Sequence, residues 1–102
     1  MRIEVVEFYR EDDGKKKNVL EGTMHIYLVE FGIHLRGILV AKRNKSYFFG
    51  KPWRWGHDQK TRKKVRYPLL SFADPAKEKA LMDSIYKEGQ KYIAALEWHS
   101  NF

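Results

Sequence analysis

The stretch VLEGTMHIYLVEFGIHLRGILVAK, residues 19–42, decides the fold. In its first half Met24, Ile26 and Leu28 fall on one side of an extended chain, and His25, Tyr27, Val29 and Phe31 on the other. Alternation at period two predicts a strand over residues 19–30. Gly32 then permits a tight reversal that β-branched residues resist, and residues 33–42 form a second long strand. Gly37 interrupts that strand, the mark of a bulge or of a close backbone approach. Two long strands joined by so short a turn make an antiparallel pair.

Outward from this pair, residues 2–10 alternate with Ile3 and Val5 on one face and Glu4, Val6 and Phe8 on the other, a strand partly covered on both sides. Residues 11–18 (EDDGKKKN) are charged or turn-forming, with acidic and basic halves that cancel, and read as a solvated hairpin loop. On the other side, residues 43–45 make a turn and residues 46–50 a short strand. Its aromatics Tyr47, Phe48 and Phe49 are assigned mainly to the core, since three consecutive rings do not all face solvent. Residues 52–64 break the pattern and read as a loop. Residues 65–72 resume as a strand, confined to an edge or a bulge by Pro68, which cannot donate to a ladder.

The last element is helical. Asp74 is an N-cap type, and Pro75 occupies the first helical position, where its missing N–H costs nothing. Leu81, Ile85, Tyr92 and Leu96, widened by Met82, Tyr86 and Ile93, form one apolar face over about five turns. Gly89 weakens that helix by ~1 kcal/mol relative to alanine unless it admits a close neighbour. The tail 98–102 either frays or docks. The order β-β-β-β-loop-β-α predicts one α+β domain over residues 1–102: a five-stranded antiparallel meander with one C-terminal helix packed on one face. The opposite face, with His25, Tyr27, Val29 and Phe31, is too apolar to stay wet, which points to a homodimer.

Composition agrees with a single core. The chain has 102 residues, 43% hydrophobic and 15% aromatic, which argues against disorder. No apolar run approaches the roughly eighteen residues of a spanning helix, so no membrane partner is expected. The first residues, MRIEVVE, carry acid where a secretion signal needs an apolar stretch. With no cysteine there are no disulfides, thiolate metal sites or cysteine nucleophiles. The expectation is a cytoplasmic protein.

The net charge of +7 is concentrated. Residues 42–66 hold ten basic residues against one acid, Asp58, for +9; the remainder holds ten basic against twelve acidic, for −2. A near-neutral scaffold with one basic segment suggests a polyanionic partner.

Enzyme signatures are missing: no G-x-S-x-G elbow, no Walker A loop and no G-x-G-x-x-G fingerprint. His25, His34, His57 and His99 show no i, i+4 ligand spacing. His25 and His34 lie on neighbouring strands and read as a cross-strand pair rather than a metal site. The Asp12-Asp13 pair sits in a turn, where carboxylates are solvated. No catalytic residue, metal or cofactor is expected. The signal lies in KPWRWGHDQKTRKK, residues 51–64, continued by Arg66. Lysine and arginine neutralise phosphates, and exposed aromatics offer faces for unpaired bases at ~1–3 kcal/mol each. The candidate nucleic-acid-binding residues are Lys51, Trp53, Arg54, Trp55, Lys60, Arg62, Lys63, Lys64 and Arg66. The cluster from Lys60 to Arg66 would hold phosphates, and Arg54 with Trp53 or Trp55 would touch bases or sugars. Trp53 and Trp55, two apart, equally fit an inward role as anchors of the loop. The alternative function is a protein–protein module that docks an acidic partner through the same basic loop.

From Gly22 to about Ile93 the chain resembles the SpoVG (stage V sporulation protein G, septation regulator) family. The features are the paired long strands 23–31 and 33–41, the strand end Phe48-Phe49-Gly50-Lys51-Pro52, a polar basic loop, the Arg66-Tyr67-Pro68 strand and a closing helix. The chain departs from the family in a loop richer in tryptophan and lysine and in a longer helix and tail. The resemblance implies a homodimer, joined through its sheet, that binds DNA or RNA and modulates gene expression.

Overall fold

His25 stands where two irregularities meet, and they set the shape of the sheet. In the computed structural model, which describes residues 1–100 with side chains as far as Glu97, the first strands are β1 (Ile3–Arg10), β2 (Val19–Leu28), β3 (Ile33–Arg43) and β4 (Ser46–Gly50). They form an antiparallel meander in the order β1-β2-β3-β4. On one side of His25 the register slips between Val5 and Glu7, leaving Val6 as the extra residue of β1. On the other side β3 holds an extra residue between Leu35 and Ile38, where Gly37 takes a φ of +80°. A left-handed residue in a bulge suits glycine, which has no Cβ to clash.

The β1 bulge corrects the expected facing. Simple alternation places Phe8 opposite Ile3 and Val5, but the extra residue shifts the alternation by one. Phe8 is buried, opposite Met24, on the same side as Ile3 and Val5. In β2 the expected inner face holds, with Met24, Ile26 and Leu28 buried toward the helix, but the strand ends at Leu28 and leaves Val29 and Phe31 of the expected outer face in the turn. His25, Tyr27 and His34 lie on the uncovered side, where His25 Nε2 and His34 Nδ1 are 2.8 Å apart as the expected cross-strand pair. The β1–β2 loop is more ordered than a solvated loop. Asp12 takes two hydrogen bonds from the Arg10 guanidinium and accepts the backbone N–H groups of Gly14 and Glu21. These donors hold its carboxyl well below the usual carboxylate range, Arg10 contributing most.

The helix α1 (Pro75–Ser100) starts as expected, with Asp74 Oδ1 accepting the Ala76 N–H at 3.0 Å. Its innermost row is Leu81, Ile85, Gly89 and Ile93, with Met82, Tyr92 and Leu96 flanking and Tyr86 at the exposed margin, its ring edge to face with Phe49 at 5.7 Å. Gly89 lies where the Phe49 ring enters: a Cβ there would meet that ring at 2.6 Å. Close approach, rather than mere weakening, is therefore its role. Two ion pairs tie the helix to the sheet side, Lys42 to Glu97 at 2.6 Å and Lys51 to Glu78 at 2.9 Å. No helix among the described residues is long and apolar enough to cross a membrane.

The strand expected over residues 65–72 forms only over residues 64–68, and it does not join the meander. Residues 52–64, read as a loop, contain β5 (Trp53–His57), and β6 (Lys64–Pro68) pairs with it instead of with the main sheet. The architecture is α+β with six strands in two sheets, four plus two. Pro68 ends β6 opposite Trp53, at the kind of edge proline requires. Buried Pro52 packs beside the Gly37 bulge, and its carbonyl accepts the Leu69 N–H at 2.9 Å, closing the root of the hairpin. The radius of gyration, 15.1 Å, exceeds the ~13 Å of a typical domain this size. Beyond the helical backbone that reaches Ser100, the fray-or-dock expectation for the tail 98–102 lies outside the described residues.

Candidate nucleic-acid interface

A two-stranded ribbon has two faces, and the β5–β6 register sorts its side chains between them. Trp53 pairs with Pro68, Trp55 with Arg66 and His57 with Lys64, so the tryptophans share a face with Arg66 and Lys64. The rings and cations interleave along it. The Arg66 guanidinium lies 4.0 Å from the Trp53 ring centre, and Lys64 Nζ lies 4.6 Å from that of Trp55. Trp53 and Trp55 meet edge to face at 4.9 Å. Cation–π contacts at exposed sites are worth ~0.5–1 kcal/mol each. They hold the cations over the rings without neutralising them.

The opposite face is structural. Tyr67 lies across Gly56, where any Cβ would collide with its ring, and its hydroxyl donates to the His57 carbonyl at 3.1 Å. Arg54 sits on this side, 5.9 Å from the Tyr67 ring centre. Strand alternation thus places Arg54 across the ribbon from the tryptophans. The tip, residues 58–63, is tied by Asp58, whose Oδ1 accepts the Lys60 N–H at 2.9 Å and whose carbonyl accepts the Arg62 N–H at 2.7 Å. Arg62 takes a φ of 56°, a left-handed conformation uncommon for residues with a Cβ. Lys60, Arg62 and Lys63 therefore project from a turn held by its own backbone.

Residues 53–68 carry six cations and one acid, +5. Among the described residues none of the six is in an ion pair. Lys51 does not belong with them. Its ammonium is held by Glu78 in the first turn of α1 and lowers the pKa of that carboxyl by direct hydrogen bonding. Lys42 is likewise taken by Glu97: burial works against its charge, but the hydrogen bonds to Glu97 and Tyr47 outweigh burial and raise its pKa.

The two tryptophans differ in exposure. Trp53 is half-buried beneath Arg66 and anchors the hairpin, while Trp55 is 51% exposed. The Trp53 Nε1 donor is buried without an acceptor, the one such side-chain atom among the described residues.

One residue missed in the sequence belongs beside this face. Phe48, assigned to the core, is 60% exposed on the side of β4 away from the helix, whereas Phe49 is buried and Tyr47 stacks on it. Strict period-two alternation through Ser46-Tyr47-Phe48-Phe49-Gly50 carried that information. Phe48, Leu39, Pro52, Trp53, Arg66 and Pro68 wall a cleft of about 270 Å³ between β4 and the hairpin. Compared with known proteins, the chain matches no family model, no curated protein and no solved structure.

Proposed function

We propose that the protein is a small, non-enzymatic regulator that binds DNA or RNA through the β5–β6 hairpin. The observation that carries this reading is the interleaved face, Trp53-Arg66-Trp55-Lys64, continued by Lys60, Arg62 and Lys63 at the tip, with none of these cations in an ion pair among the described residues. Fixed cations meet phosphates and release counterions, and rings of sequence-tolerant chemistry lie between them. Kinship with the SpoVG family is part of the proposal. Its support is the run of paired long strands, basic segment, Arg66-Tyr67-Pro68 strand and closing helix. A homodimer is proposed as well, supported by Tyr9 on the uncovered sheet face and by Phe31 and Ile33 at the β2–β3 turn, all exposed and away from β4. Sedimentation at micromolar concentration then reports about twice the 12.2 kDa chain mass.

Salt weakens binding to an acidic protein as well as to nucleic acid, so competition is the decisive experiment. The protein, purified without nuclease at low salt, carries nuclease-sensitive material with raised ultraviolet absorbance. Unrelated DNA or RNA displaces it. Protein free of nucleic acid that also leaves added oligonucleotides unbound contradicts the reading.

A further inference from the structure

Resting on the nucleic-acid reading, we infer that the cleft between β4 and the hairpin takes one unpaired base, which makes the preferred ligand a single strand. The cleft, about 270 Å³, is smaller than the ~300–1,000 Å³ sites of drug-sized molecules and suits a single planar heterocycle. Its walls are aromatic and apolar at Phe48, Trp53, Leu39, Pro52 and Pro68; of its two cations, Lys51 is held by Glu78, and Arg66 is in no ion pair among the described residues. The Phe48 ring lies over Gly50 and keeps 60% of its surface exposed, and π-faces attract bases irrespective of sequence. Arg66 caps the Trp53 ring at 4.0 Å and places positive charge where the phosphate of an inserted nucleotide would run. Toward the tip the same strand meets Trp55, Lys64 and the tip cations, a continuous track for a polyanion.

A paired base has both faces stacked and its edge engaged, and cannot enter. Duplex is then held by the hairpin cations alone, while a single strand gains the cleft in addition. Phe48 is the specificity-determining residue of this arrangement.

The test compares the full chain with Phe48→Ala and Phe48→Leu, using a short mixed-sequence DNA oligonucleotide and its duplex at equal ionic strength. The wild type binds the single strand more tightly and quenches tryptophan fluorescence with it. Phe48→Ala weakens single-strand binding roughly 5- to 150-fold, the equivalent of ~1–3 kcal/mol for one stacked base, and leaves duplex affinity unchanged. Phe48→Leu keeps apolar bulk without a ring and fails in the same way, with an unchanged melting temperature. Restored single-strand binding in Phe48→Leu would mean packing rather than stacking and overturn the inference. Equal losses on both ligands, or none, overturn it too while leaving the hairpin reading intact. A wild type that binds neither ligand overturns both.

Discussion

The four-stranded sheet and the two-stranded hairpin are both antiparallel, yet among the described residues the twelve side chains of the buried hydrophobic core cluster all come from the first sheet and its helix. The body is held by burial: Met24, Ile26 and Ile38 meet Leu81, Ile85 and Ile93, all at 0% exposure. The hairpin is held by cross-strand rings and cations, a peptide root at Pro52 and an aspartate in its tip. Two strands alone are marginally stable in water, so this hairpin depends on being mounted on a finished scaffold. Stability and charge are segregated accordingly, and changes in one region should leave the other readable.

The largest expected effect breaks the body. Ile85→Ala removes a fully buried side chain from the middle of the helix row and costs ~2–5 kcal/mol, against a total of only ~5–15 kcal/mol for a domain this size. Calorimetry should show that loss, while oligonucleotide affinity well below the melting temperature is unchanged. An unaltered melting temperature would mean that the apolar row does not face the core.

A smaller effect sharpens the contrast within the hairpin. Trp53→Ala should cost the hairpin roughly 1–3 kcal/mol, less than the ~3–5 kcal/mol of a fully buried aromatic. It should appear as faster amide exchange over residues 53–68. Trp55→Ala should leave exchange alone and weaken single-strand binding. Reversed outcomes would exchange the roles of anchor and platform.

The smallest effect is electrostatic and belongs to the body alone. Burial first, then the Arg36 and His34 charges, lowers the His25 pKa from its ordinary 6.5, with Glu7 opposing. Glu7 on β1, Tyr27 on β2, and His34 and Arg36 on β3 surround it on the uncovered face. The folded state resists protonation, so the unfolded state binds more protons below about pH 6.5. Stability is therefore full above that pH and declines as pH falls toward the lowered folded value. Melting curves between neutral and mildly acid pH should slope accordingly, and His25→Gln should flatten them. Equal slopes in the two proteins would remove His25 as the cause.

Much of the body was legible because its elements announce themselves locally. The alternation around Met24, the glycine in β3 and the Asp74-Pro75 helix start each specify one conformation. The Val6 bulge has no residue signature; it follows from register against β2, and the facing of Phe8 was lost with it. Strand β5 was hidden for another reason. In Trp-Arg-Trp-Gly-His the period-two signal alternates rings with a cation and a glycine, which looks like a loop when strands are sought by burial. Which sheet β6 joins is a tertiary choice that no local pattern encodes. The basic cluster was visible as charge, but its division between Glu78-bound Lys51, back-facing Arg54 and the exposed remainder needed three dimensions.

The most direct test of the central claim reverses the hairpin's charge without touching the core. Arg62→Glu, Lys63→Glu and Lys64→Glu together take residues 53–68 from +5 to −1. For the wild type, about six phosphate contacts give a salt slope near −5 on duplex DNA, roughly a thousandfold loss of affinity between about 50 and 200 mM salt. The triple variant should melt like the parent and bind neither DNA nor RNA at the lower salt. A triple variant that binds as tightly as the parent, with the same slope, would make the hairpin a solvated surface and contradict the account.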